Sequence, residues 1–220
     1  MSWLSRTSPG VKICGIRRES DARFCIEAGA AALGFNFHPG SKRFIDFDGS
    51  ISWIRALGGV AERVAVVVNA DSMLLERIRS SGCFEWIQFH GDESASFCAD
   101  QGGDRWLKAI RLRDRDAVGE ALRCEAPAYL LDAWDAASYG GSGKTADWTL
   151  AAETIQSRPA SCFALAGGLT PENVASALRQ TRASALDVAG GVEGPDGFKC
   201  PARVRAFVQA VKSACLDPQK

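Results

Sequence analysis

The chain has 220 residues, 46% hydrophobic and 24% charged, enough apolar material for one sizeable core. Its 26 basic and 26 acidic residues cancel, so the basic excess of a nucleic-acid binder is missing. No run approaches the ~20 apolar residues of a membrane helix, and the N-terminal MSWLSRTSPG lacks the apolar centre of a secretory signal.

Short apolar, β-branched runs alternate with amphipathic stretches along the chain. The first run is VKICG (11–15), followed by a helix that Ser20 can cap, that turns Ala22, Cys25 and Ile26 to one side and that Gly29 can end. AALGFNF (31–37) and RVAVVVN (63–69) come next, and Asp71 then precedes Leu74, Leu75 and Ile78 at helical spacing. EWIQFHG (85–91), RWLKAIR (105–111), AYLLDA (128–133) and CFALAGG (162–168) continue the series. Thr170-Pro171 reads as an N-cap with proline at the first helical position, ahead of a buried face of Val174, Ala177 and Leu178. After ALDVAGG (185–191), Val204, Phe207, Val208 and Val211 give the last helix its i, i+3, i+4, i+7 face.

These runs are too apolar for one-sided antiparallel strands, and strands alternating with helices imply parallel pairing with right-handed crossovers. Eight such units predict an α/β fold, a single-domain (β/α)8 barrel over residues 1–220 with 1–10 as an N-terminal extension. An open doubly wound sheet is the alternative. The cysteines at 14, 25, 83, 98, 124, 162, 200 and 215 form no Cys-x-x-Cys pair, and His38 and His90 are the only histidines. No metal site is expected from that set, and reduced thiols in the cytoplasm are.

A barrel of this kind carries its chemistry in the loops after the C-terminal strand ends. That rule selects Cys14, the HPGSKRF loop with Lys42 and Arg43, His90 to Asp92, Asp132, Gly167-Gly168 and Gly190-Gly191. The two glycine pairs follow the seventh and eighth strands, where bare N–H groups near helix starts can hold a phosphate. YGGSGKT (139–145) resembles an ATPase phosphate loop, but residue 138 of that pattern should be glycine and is Ser138. It reads instead as a flap (Gly141, Ser142, Gly143, Lys144) over the phosphate, with Lys144 able to reach in. A thiol, a carboxyl group, an arginine fork and a phosphate cradle then share one barrel mouth.

VKICGI, LGFNFHPGSKRFI, QFHGDE, LLDA, YGGSGKTADW, LAGGLTPENV and DVAGGVEG together resemble the phosphoribosylanthranilate isomerase family of tryptophan biosynthesis, in family order over about residues 11 to 200. The resemblance implies an Amadori rearrangement of N-(5-phosphoribosyl)anthranilate to 1-(2-carboxyphenylamino)-1-deoxyribulose 5-phosphate, without cofactor or metal. It implies Cys14 as general base, Asp132 as general acid and Arg43 as clamp for the anthranilate carboxylate. Asp187 matches an aspartate of the eighth strand, while Gly167, Gly168, Ala189 and Gly190 match the phosphate cradle. The family's serine pair is replaced by Ala189 and Gly190, so two hydroxyls are lost while the N–H groups remain. The common Gly-Lys-Lys-Asp near the end reads Gly197-Phe198-Lys199-Cys200, which leaves the start of the last helix open, and His38 is expected to line the rim. The only partner expected is this phosphosugar-anthranilate, with no nucleic acid or membrane; a monomer is expected, with a dimer as the alternative.

The acid must protonate the sugar ring oxygen and the base must then remove the C2 proton. Ordinary values of about 8.5 for a thiol and about 3.9 for a carboxyl put both groups in the wrong form at neutral pH. Burial favours the neutral form of each, which suits an acid and opposes a base, so a positive or hydrogen-bonding neighbour is expected beside the thiol. Rival readings are another phosphosugar isomerase or epimerase, a Schiff-base aldolase using Lys108, and a barrel that binds phosphorylated ligands without catalysis.

Overall fold

The computed structural model describes residues 3–4, 9–135 and 144–216. Eight parallel strands close on themselves in chain order. They are β1 (Gly10–Cys14), β2 (Ala32–Asn36), β3 (Glu62–Val67), β4 (Trp86–Phe89), β5 (Trp106–Leu112), β6 (Ala128–Ala133), β7 (Cys162–Leu165) and β8 (Ala185–Val188). Closure is made by β1 against β8, with Lys12 opposite Asp187. Helices α1 (Glu19–Glu27), α2 (Phe47–Ala56), α3 (Ser72–Ser80), α4 (Ala95–Gly102), α5 (Arg115–Ala121), α6 (Trp148–Ser157), α7 (Val174–Thr181) and α8 (Pro201–Leu216) follow the strands in turn. The closed strand order bears out the barrel and excludes the open sheet.

Side chains alternate across each strand, so the barrel has two cores. Ile13, Leu33, Phe35, Val67, Phe89, Leu131, Phe163 and Leu186 face the helices and meet Leu75, Val174, Phe207 and Val211 there. The interior is packed by Ala32, Val64, Val66, Trp86, Leu107, Ala109, Leu130 and Ala164. Trp3 and Leu4 join this inner cluster. The Trp3 N–H donates to Glu62 Oε2 at 3.0 Å, and Trp86 Nε1 donates to the same oxygen at 3.2 Å. Since Glu62 and Trp86 open β3 and β4, these N-terminal residues close the end of the barrel opposite the strand C-termini.

Helix starts follow local chemistry. Asp46, Asp71, Ser94, Asp114 and Asp147 each accept a hydrogen bond from an N–H of the following first turn. Two expected starts shift. Arg18, not Ser20, is the N-cap of α1, which leaves Ser20 within the first turn. Its other end is as expected, with Gly29 beyond the C-cap at φ +98°. Thr170-Pro171 does not open α7, because a separate turn comes first: Thr170 O accepts from the N–H groups of both Asn173 and Val174. Asn173 Oδ1 in turn accepts from the Thr170 N–H at 2.8 Å. The start of α8 is set by Pro201 at its first position, where a missing N–H costs nothing. Phe198, just before it, has Arg17 and Arg18 over its ring at 4.2 and 3.6 Å.

Candidate active site

A cavity of about 1050 Å³ opens at the C-terminal strand ends, lined by Cys14 and Asp132 together with Arg43, Asp187, Gly167, Gly168, Ala189, Gly190 and Lys144. The expected catalytic and substrate-binding residues thus border the same space, as does His90, whereas Gly91 and Asp92, selected with it after β4, do not. Gly141, Ser142 and Gly143 of the expected flap lie outside the described residues. His38 is part of the lining, as expected of a rim residue. Strand parity explains the convergence. Cys14 follows Lys12 on the inner face of β1, and Asp132 follows Ala128 and Leu130 on that of β6.

The carboxyl group of Asp132 is buried and anchored at both oxygens. Oδ1 accepts from the Ala133 N–H at 2.9 Å, and Oδ2 lies 3.2 Å from His90 Nε2. His90 Nδ1 is held in turn by the Gln88 side-chain amide at 2.9 Å. This Gln88–His90–Asp132 chain fixes the carboxyl orientation over the cavity. His90 was selected by its place after β4, but its link to Asp132 shows only in three dimensions.

On the opposite wall Cys14 is half-buried, above a fully buried Lys12 whose Nζ donates to Asp187 Oδ1 at 2.9 Å. Burial works against the Lys12 charge, but Asp187 and the adjacent sulfur outweigh it and hold the ammonium above its ordinary range. For Cys14, burial pushes the thiol up, Lys12 pulls it down and Asp187 pushes it up again, leaving it raised overall. Lys12 went unmarked in the sequence because strand-end rules look at loops. The usable signal was its position two residues before Cys14, on the same inner face.

Arg43 reaches the cavity from the loop between β2 and α2. Its Nε and Nη2 grip Glu193 at 2.5 and 2.9 Å, and Lys199 Nζ donates to the same carboxylate at 2.9 Å. Burial opposes the Glu193 charge, yet Arg43 and Lys199 keep its carboxyl below the ordinary range. The guanidinium is therefore held in one orientation, with its Nε and Nη2 edge turned to Glu193. Along the same cavity, Gly167 and Gly168 take successive left-handed conformations at φ +81° and +63°. A Cβ on Gly168 would stand 2.7 Å from both Lys144 O and Thr145 N, so only glycine lets the chain after β7 pass so close to residues 144–145. Lys144 itself is 3.2 Å from Asp135.

Lys108, the aldolase candidate, lies on the other face of its strand from Leu107 and Ala109. Its Nζ donates to Gly91 O and to Glu93 Oε2, each at 2.7 Å, and it does not border the cavity. An ammonium tied in this way is no nucleophile for a carbonyl in the barrel mouth.

The profile of N-(5'-phosphoribosyl)anthranilate (PRA) isomerase matches residues 11–210. The chain belongs to this family. The N-(5'-phosphoribosyl)anthranilate isomerase of Neisseria gonorrhoeae is 43% identical over 199 residues, which cover 90% of this chain and 93% of that one. The one from Pseudomonas fluorescens (strain Pf0-1) is 41% identical over 204 residues, covering 91% and 97%. Among solved structures, phosphoribosyl anthranilate isomerase from Thermotoga maritima superposes with a TM-score of 0.85 at 34% identity, covering 93% of this chain and 99% of that one. A further isomerase of the family, in complex with reduced 1-(o-carboxyphenylamino)-1-deoxyribulose 5-phosphate, superposes at 0.81 with 31% identity and the same coverage. No helix among the described residues is long and apolar enough to cross a membrane.

Proposed function

We propose that the chain is the isomerase of tryptophan biosynthesis that converts N-(5-phosphoribosyl)anthranilate to 1-(2-carboxyphenylamino)-1-deoxyribulose 5-phosphate. One observation carries the assignment of roles: Cys14 and Asp132 enter one cavity from β1 and β6, with glycine turns after β7 and β8 along its side. Asp132 gives a proton to the furanose ring oxygen as the C1–O bond breaks, leaving an iminium ion. Cys14 then takes the proton from C2, whose electron pair neutralises the iminium and forms an enolamine. Protonation at C1 and loss of the enol proton complete the ketone. Arg43 meets the anthranilate carboxylate, and Asp187 faces the sugar. Gly167, Gly168, Ala189 and Gly190 hold the phosphate by backbone N–H groups, which supports binding without the family's two serine hydroxyls. Lys144, which borders the cavity, is the described residue of the expected flap.

The test is direct. Phosphoribosylanthranilate generated in situ is fluorescent, and adding the chain is expected to remove that signal with appearance of the deoxyribulose product. A steady signal with folded protein present would overturn the reading. The protein is further proposed to act as a cytoplasmic monomer; light scattering behind a sizing column that returns twice the 23.5 kDa chain mass would replace the monomer by a dimer.

A further inference from the structure

We propose that Lys12 is the positioning residue for the base: its buried ammonium draws Cys14 toward the thiolate, and Asp187 is the counterweight that limits the effect. The inference rests on the reading of Cys14 as the base, and its geometry is independent of any ligand. Lys12 is 0% exposed, inside a barrel whose other filling is largely alanine, valine and leucine. Burying an ammonium costs several kcal/mol, and a well-packed apolar residue in its place is often neutral or stabilising. Stability alone therefore gives little reason for a lysine here.

What the lysine touches supplies the reason. A Cβ placed on Gly34 of β2 would lie 2.8 Å from Cys14 Sγ and 2.9 Å from Lys12 Nζ. Sulfur and ammonium thus flank one small space, which Gly34 leaves open. Each charged group facing the sulfur has a definite sign of action. Lys12 from its own strand and Lys199 from the loop after β8 favour the thiolate, while Asp187 from β8 opposes it. Arg43, from the loop after β2, also carries positive charge toward it. Gly34, on the adjoining strand, is uncharged. Lys12 is the largest of the favourable influences, and Asp187 holds it at 2.9 Å. The base is thereby placed between a cation that ionises it and an anion that restrains it.

The two partners should act with opposite sign, and this separates the proposal from a merely structural ion pair. The experiment follows carbamidomethylation of Cys14 by iodoacetamide against pH, resolved from the other seven cysteines by peptide mass spectrometry. In Lys12→Met the pH midpoint of Cys14 labelling is expected to rise by at least about one unit, a tenfold loss of thiolate near neutrality. In Asp187→Asn it is expected to fall, with faster labelling at pH 7. Lys12→Arg should restore most of the labelling lost in Lys12→Met. Midpoints that stay together, or that move the same way in the methionine and asparagine variants, would overturn the proposal. If Lys12→Met does not fold, the direction of the Asp187→Asn shift decides alone. Labelling needs no substrate, so this result stands apart from whether the chain turns over phosphoribosylanthranilate.

Discussion

At the scale of single residues, Gly34 is a sharp test of how tightly the base is held. A methyl group there would press on both the Cys14 sulfur and the Lys12 ammonium. Displacements near 1 Å at a reacting group cost up to about 10²-fold in rate. Gly34→Ala is expected to lower kcat by about tenfold or more while the circular dichroism spectrum stays that of the parent. A parent-like kcat would mean that the sulfur has more freedom than its surroundings imply. Cys14, Asp132 and Arg43 were legible in the sequence because each ends or follows an apolar strand and carries chemistry out of place in a core. Lys12 and Glu193 were not. One lies inside the strand, and the other acquires its meaning only when Arg43 crosses from a loop 150 residues away.

Among elements, helix caps were half readable. Asp71 sits ahead of an apolar face and does accept from the Leu74 N–H at 2.8 Å. Asp71→Ala is expected to cost about 1 kcal/mol, read as a lower urea midpoint at unchanged slope. No shift in the midpoint would show α3 to be held by packing alone. Thr170-Pro171 misled for a physical reason: the residue pattern of a helix start also suits an isolated turn, and the Asn173 side chain stabilises that turn by taking the Thr170 N–H. Strands were the most legible elements, since all eight apolar runs are short and flanked by helical patterns. Register and closure depend on contacts between distant runs, such as Lys12 opposite Asp187, and no local pattern states them.

For the whole molecule, net charge hides opposing local fields that make stability depend on pH. Burial opposes ionisation of Glu193 and Glu85, but Arg43 with Lys199, and Arg63, hold the two carboxyl groups below the ordinary value of 4.5. A group whose value is depressed by folding contributes stability above its unfolded value and loses it as pH falls through the folded one. The urea midpoint is therefore expected to be level from pH 7 to about 5 and to fall below about 4.5. Glu193→Gln should be less stable at pH 7 and should lose less on acidification than the parent. An equal or steeper acid loss in that variant would show that Glu193 is not among the groups responsible.

The central claim is that a thiol on β1 and a carboxyl group on β6 divide the two proton transfers of one rearrangement. Steady-state turnover of phosphoribosylanthranilate by Cys14→Ala and Asp132→Ala, beside product binding by the same proteins, tests it most directly. Each substitution is expected to lower kcat by about 10² to 10⁴-fold while the product still binds. Parent-like turnover in either variant would contradict the account.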